Sequence, residues 1–128
     1  MLSLCPFCNL PADRILDESD GAVVIRDAYP VSPGHTLVVP KRHIGSFFDL
    51  EPSEQAELMG LLRRAKERID EEFRPRGYNV GVNDGPAAGQ TVPHVHIHLI
   101  PRYESDQVDP RGGVRWIFPE KADYWSKR

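Results

Sequence analysis

The run His94-Val95-His96-Ile97-His98, followed by Leu99-Ile100-Pro101, constrains this chain more than any other feature. Three of the five histidines occupy alternate positions in a β-branched and apolar segment. Alternate residues of a strand point to one side. The spacing predicts a strand with three imidazoles on one face and Val95, Ile97 and Leu99 on the other, entering a core. A row of imidazoles stabilises a strand poorly. It is well suited to presenting ring nitrogens to a phosphate or a metal.

What surrounds that strand is bounded by size and charge. A chain of 128 residues makes one domain, with a core that needs no disulfide. Its formal charge of −3, from 16 basic and 19 acidic side chains, supplies no bulk attraction to duplex nucleic acid or an anionic membrane. A polyanion would have to be held by local donors. No apolar stretch is long enough to span a bilayer, and the first residues lack a basic n-region and a long h-region. Cys5 and Cys8 are too close for a typical long-loop disulfide and would stay reduced in a cytosol, so a cytoplasmic location is expected.

Arg14 to Glu18 and Ala22 to Asp27 read as strands joined by the hairpin signal Ser19-Asp20-Gly21. Tyr29 to Gly34 reads as a turn and His35 to Pro40 as a third strand. Glu51-Pro52-Ser53-Glu54 reads as a helix start, with Pro52 at the first helical position. Leu58, Leu61, Leu62, Ala65, Ile69 and Phe73 form one apolar stripe on a helix of about six turns, which Pro75 and Gly77 end. Arg63, Arg64, Lys66, Arg68, Asp70, Glu71 and Glu72 read as its solvated face. Tyr78 to Val82 is a fourth strand, and Val92 or His94 to Ile100 a fifth. The tail from Tyr103 carries Trp116, Ile117, Phe118, Tyr124 and Trp125, and these predict that it packs on something. The expected fold is α+β, an antiparallel sheet of about five strands with one long helix packed on it.

Two loops carry chemistry. Gly85-Pro86-Ala87-Ala88-Gly89-Gln90-Thr91 leads straight into the histidine strand. Glycines let backbone N–H groups approach an anion closely, and Thr91 adds a hydroxyl. Cys5-Pro6-Phe7-Cys8 is a Cys-x-x-Cys knuckle. A thioredoxin-type pair should follow a strand and open a helix, whereas this one opens the chain. The alternative is a zinc knuckle, which supplies two of four ligands.

Gly-Gln-Thr-Val-Pro-His-Val-His-Ile-His-Leu-Ile-Pro-Arg resembles the signature of the histidine triad (HIT) superfamily of nucleotide hydrolases and transferases, and Pro33-Gly34-His35-Thr36-Leu37-Val38-Val39-Pro40 resembles its second motif. The similarity covers roughly residues 5 to 102. It implies a HIT domain over 1–102 with an N-terminal zinc knuckle, and an extension over 103–128 packed on the domain or on a dimer partner. Gly112-Gly113-Val114-Arg115-Trp116 resembles the extension of a bacterial subset.

The resemblance implies a role for each matched position. His96 would be the nucleophile attacking an α-phosphorus and forming a nucleotidyl-histidine. His98 would donate to a non-bridging oxygen, and His35 would support the triad by hydrogen bonds. Asn83, Gly89, Gln90 and Thr91 match the phosphate-holding positions. Asp27 matches the residue that accepts the ribose hydroxyls, and Ile25 and Leu37 match apolar positions flanking the base. His43 and His94 match the remaining ligands of zinc-bearing members, giving Cys5, Cys8, His43 and His94 around a structural zinc. Arg102 could reach outer phosphates or form a surface salt bridge. The substrate implied is a small nucleotide, first a diadenosine polyphosphate and next an adenosine phosphoramidate, handled by a homodimer. Two other readings stay open: a nucleotide-binding signalling protein with slow turnover, and a zinc protein whose His-x-His-x-His is itself the metal site.

Overall fold

The computed structural model describes residues 4–127, so residues 1–3 and 128 of the two expected segments lie outside the described residues. Ser19-Asp20-Gly21 reverses the chain between β1 (Ile15–Glu18) and β2 (Ala22–Arg26). The Ser19 N–H donates to the Ala22 carbonyl at 2.9 Å, and Glu57 accepts the Gly21 N–H at 2.7 Å and the Ser19 hydroxyl. Then come β3 (Thr36–Pro40), α1 (Pro52–Phe73), β4 (Gly77–Gly81) and β5 (Ile97–Arg102). They form one antiparallel sheet in the order β1-β2-β3-β5-β4. The expected α+β fold is the observed one.

The fifth strand starts later than the histidine pattern predicts. β3 pairs with β5 only as far as Val38 opposite Ile97. Before that point the Val95 N–H donates to the Ile44 carbonyl and the His94 N–H to the Val92 carbonyl, each at 2.8 Å. His94 to His96 have therefore left the ladder. Their alternation persists, because Val95, Ile97 and Leu99 all enter the helix-side core while His96 and His98 are half-buried. The other bounds shift by a residue or two. A 3-10 turn over Ala12–Arg14 delays β1, β2 stops at Arg26, β3 begins at Thr36, and Gly77 opens β4 rather than closing the helix.

Helix α1 begins where Pro52 predicts. Glu51 and Glu54 form a reciprocal capping box, each side chain taking the other's backbone N–H. The helix ends at Phe73 because Arg74 adopts a left-handed conformation, φ 53°. Leu58, Leu61, Ala65 and Ile69 are buried against Ala22, Val24, Val38, Val95, Ile97 and Leu99. The expected solvated face is only partly so. Arg64 pairs with Asp17 and Arg68 reaches the Leu16 carbonyl, which ties the helix to β1.

The opposite face of the sheet has a second, smaller core. Val23, Ile25, Leu37 and Val39 are buried there beneath Phe7 and Leu10 of the N-terminal segment and Ile15 of β1. The tail turns through short 3-10 segments over Gly113–Ile117, Pro119–Lys121 and Trp125–Lys127, beside β4. Its large apolar residues pack less than their number suggests. Trp125 is half-buried, whereas Ile117 and Phe118 are exposed.

Leu61 lies in the middle of the helix–sheet contact, so Leu61→Ala should lower unfolding free energy by about 2–5 kcal/mol. Arg63→Ala, on the outer face, should change it by less than about 0.5 kcal/mol. Urea denaturation of both variants measures the difference.

Candidate functional site

The sheet face away from α1 carries the site. Strand register sets Ile25 beside Leu37, Leu37 beside His98, and His98 beside Gly81, a single row across four strands. Gly81 has no side chain, and a Cβ added there would meet nothing within 4 Å. The row therefore rises to an imidazole and falls away to open space at the sheet edge.

Hydrogen bonds fix where each imidazole proton sits. The Val31 N–H donates to His35 Nδ1 at 3.1 Å, so the proton of neutral His35 is on Nε2. That Nε2 lies 2.9 Å from His98 Nδ1 and 3.4 Å from an Asp27 oxygen. His98 Nδ1 accepts, and the proton of neutral His98 is on its outer Nε2. His96 has the opposite arrangement. Its Nδ1 lies 2.9 Å from the His94 carbonyl, an acceptor only, so Nδ1 carries the proton and Nε2 carries a lone pair. The two rings lie 5.1 Å apart, centre to centre. One offers a lone pair and its neighbour an N–H, which is what attack on an anionic phosphorus centre requires.

Burial disfavours charge on His98 and His35. Desolvation is the main cause that pushes His98 down to about 4, with His96 and His35 adding to it and Asp27 opposing. Burial also lowers His35, against the pull of Asp27.

Four of the expected metal ligands converge. One ligand atom from each of Cys5, Cys8, His43 and His94 lies within 4.8 Å of all the others. Cys5 Sγ is 3.4 Å and Cys8 Sγ 3.6 Å from His94 Nδ1, Cys8 Sγ is 3.2 Å from His43 Nδ1, and the two Nδ1 atoms are 3.2 Å apart. Tetrahedral zinc with ordinary bond lengths separates two nitrogens by about 3.3 Å and a nitrogen from a sulfur by about 3.6 Å. His94 Nε2 lies 2.7 Å from the Pro40 carbonyl, which fixes its proton there and frees Nδ1 to ligate. The donor set fits a tetrahedral metal. Asp27, His35 and His98 also cluster within 4.8 Å. There the proton on His35 Nε2 occupies the nitrogen a metal would need.

The other expected residues divide. Asn83, Gly89 and Thr91 are exposed, and Asp27 is half-buried with one oxygen taking the Tyr29 N–H at 2.8 Å. Ile25 and Leu37 are nearly inaccessible, 0% and 3% exposed. They form the floor under Phe7 and Leu10 rather than an open wall. Gln90 is committed to its own loop. Its Oε1 accepts the Gly85 N–H, and its Nε2 donates to the Gly45 and Val92 carbonyls. Arg102 forms the salt bridge of the two alternatives, bidentate to Asp106 and bonded to Asn79.

Two contributors were missed from sequence. Phe7 packs on both His94 and His96, with ring centres 5.7 and 5.0 Å away. Its place inside the Cys-x-x-Cys knuckle is the signal that could have found it. Asp84 accepts the Phe47 N–H and the Ser46 hydroxyl, bracing the loop that leads to the helix, and no local pattern marks it.

Fold and site together define an α+β protein with a histidine row on the open face of its sheet. The family model described as HIT domain matches residues 10–105, and the chain belongs to the histidine triad family. It is 46% identical over 77 residues to a bis(5'-nucleosyl)-tetraphosphatase (asymmetrical) of Schizosaccharomyces pombe, covering 60% of this chain and 42% of that protein. It is 38% identical over 110 residues to an AP-4-A phosphorylase of Mycobacterium tuberculosis, covering 79% of this chain and 55% of that protein. The chain thus spans about half the length of these two relatives. Among solved structures, a zinc-bound histidine triad family protein from Mycobacterium smegmatis superimposes with a TM-score of 0.75 at 35% identity, over 85% of this chain and 82% of that one.

Neutral burial has a consequence for stability. His98 and His35 bind fewer protons when folded than when unfolded below the ordinary value of 6.5. The contribution of His98 is complete above that value and is lost as pH falls towards about 4, and that of His35 has the same sign. Melting temperature should drop over that window, and His98→Gln should flatten the drop. Thermal melts of both proteins across the window check this.

Proposed function

We propose that this protein is a nucleotide hydrolase that cleaves at the α-phosphate of adenine nucleotides, with diadenosine polyphosphates as first substrate. The observation that carries the reading is the pair of opposite tautomers. His96 presents an unprotonated Nε2 beside a His98 that presents an N–H. His96 Nε2 attacks the α-phosphorus. A P–N bond forms as the bond to the bridging oxygen breaks, and the leaving phosphate departs with the electron pair. His98 donates to a non-bridging oxygen as charge builds there. His35 holds His98 in its donor tautomer. Water then cleaves the P–N bond, releases AMP and restores the imidazole. Splitting the reaction in two spares water the first, harder displacement.

The substrate lies along residues that leave room for it. Asp27 accepts the ribose hydroxyls, and Asn83, Gly89 and Thr91 hold the phosphates. Gln90 acts by shaping their loop, and Ile25 and Leu37, covered by Phe7 and Leu10, support the site from beneath without touching the base. The names of the yeast and mycobacterial relatives support a dinucleoside polyphosphate. An adenosine phosphoramidate is the alternative, because the same hydroxyl and glycines serve either leaving group. In this reading the protein acts as a homodimer in the cytoplasm, where the thiols of Cys5 and Cys8 stay reduced.

Zinc held by Cys5, Cys8, His43 and His94 is structural here. With four protein ligands it has no open position for substrate. Bound there it would hold His94, whose carbonyl accepts the proton of His96.

The deciding experiment compares specificity constants for diadenosine tetraphosphate and an adenosine phosphoramidate. Diadenosine tetraphosphate should win, and a tenfold advantage for the phosphoramidate, about 1.4 kcal/mol in the transition state, overturns the first choice. His96→Ala should lose more than about a thousandfold in rate while still binding AMP. Quenched wild-type turnover should leave AMP on the peptide containing His96.

The metal reading makes its own prediction. Cys5→Ser and His43→Ala should each lose bound zinc, measured by elemental analysis, and lower the melting temperature by at least about 5 °C. Added metal should not restore turnover to His96→Ala.

A further inference from the structure

A carboxylate stands where an anion is expected to bind. The chain leaves β4 at Gly81, which pairs with His98, and enters the histidine run at His94, so residues 82–93 form the loop between them. Asn83, Gly89 and Thr91, the phosphate-holding residues of the reading above, belong to that loop, and Asp84 follows Asn83 directly. A negative charge at this point repels phosphates. The partners of Asp84 do not cancel it. Its Oδ1 accepts the Phe47 N–H at 2.7 Å and its Oδ2 accepts the Ser46 hydroxyl at 2.9 Å, and neither donor is charged.

Both bonds run to one segment, and that segment is anchored from several sides. Residues 43–47 belong to no strand, yet each of them has a contact with the stretch 84–95. His43 meets His94 in the Cys/His cluster. The Ile44 carbonyl takes the Val95 N–H at 2.8 Å, and the Gly45 carbonyl takes Gln90 Nε2 at 2.8 Å. Ser46 and Phe47 take Asp84. Gln55 of α1 donates to the Phe47 carbonyl at 3.0 Å, and Ile44 and Phe47 pack on the helix-side core. Val95 lies between His94 and His96. The stretch that carries His96 and the loop that carries Asn83 therefore hang from adjacent backbone groups of one short segment. Gln90 fastens the end of the loop next to Thr91, and Asp84 fastens the end next to Asn83. Gln90 also accepts the Gly85 N–H, but that bond lies within the loop and cannot fix it on the rest of the molecule.

We propose that Asp84 is the positioning residue of the phosphate loop: through Ser46 and Phe47 it holds Asn83 in a fixed place relative to the stretch that carries His96. The inference rests on the nucleotide reading above. Asp84 touches no phosphate. The repulsion it brings is outweighed because a loop ordered in advance loses less freedom when an anion binds. The ribose is held elsewhere, at Asp27, so Asp84 acts on affinity for the phosphate and not for the nucleoside.

The test is calorimetric binding to the full chain of AMP and of adenosine, which carries no phosphate. Wild-type protein should bind AMP more tightly than adenosine. Asp84→Ala should weaken AMP about tenfold, as loss of two hydrogen bonds to a charged group permits, with adenosine affinity unchanged. Ser46→Ala keeps the charge and removes one bond, so it should weaken AMP about threefold and again spare adenosine. If the carboxylate acts only through its charge, Asp84→Ala tightens AMP and Ser46→Ala leaves it unchanged, and the proposal is overturned. Equal weakening of both ligands, the mark of a merely structural residue, overturns it as well. Should Asp84→Ala fail to fold, Ser46→Ala decides by the same comparison. Failure of the nucleotide reading is distinct: wild-type protein that does not prefer AMP to adenosine removes that reading and this proposal together, whereas a preference that survives in Asp84→Ala overturns the proposal alone.

Discussion

His94 is held at three atoms, and the site is organised around that fact. Its Nδ1 faces two sulfurs and a second imidazole, its Nε2 bonds the Pro40 carbonyl, and its own carbonyl takes the proton of His96. It is wholly buried although it belongs to no strand. A residue outside the ladder would ordinarily be free to shift. Here side-chain contacts replace the missing strand pairing, and the backbone oxygen beside His96 is fixed as firmly as one inside the sheet. Loss of the cysteine cluster would therefore be felt two residues away, through a carbonyl rather than through a metal bond.

The three histidines of the run are alike in sequence and different in chemistry. His94 is turned to the Cys/His cluster, His96 exposes an acceptor nitrogen, and His98 exposes a donor. Nothing in their own spacing separates them. The difference comes from three backbone groups: the Pro40 carbonyl, the His94 carbonyl and the Val31 N–H, the last acting through His35. Backbone groups suit this task because they cannot change protonation state. The tautomers they impose on the neutral rings do not depend on the titration of a partner, and burial resists charge on His35 and His98.

Much of this was legible in the chain. Alternation placed Val95, Ile97 and Leu99 in the core, and Pro52 marked the helix start. The Cys-x-x-Cys knuckle indicated a metal-type cluster before any contact was known. Alternation could not show that the histidine run leaves the ladder before Ile97, because that depends on where β3 diverges. The resemblance makes Gln90 a phosphate ligand, but its partners at Gly45 and Val92 come from the folded loop. Ile25 reads as a binding residue only until the N-terminal segment is laid over it. In each case the missing information is a contact set by tertiary packing, which local pattern does not encode.

The cysteine cluster also sets an order of events. Its members lie far apart along the chain: Cys5 and His94 are separated by 89 positions, and His43 and His94 by 51. Closing such loops carries an entropic cost before any contact returns it. During synthesis the two thiols emerge first, and their last partner emerges only when most of the domain is already out. The cluster can close only after the sheet has begun to gather β3 and β5. Anchoring His94 thus carries a larger loop-closure cost than the hairpin that joins β1 to β2, although Val95, Ile97 and Leu99 tie the histidine run to the helix–sheet core.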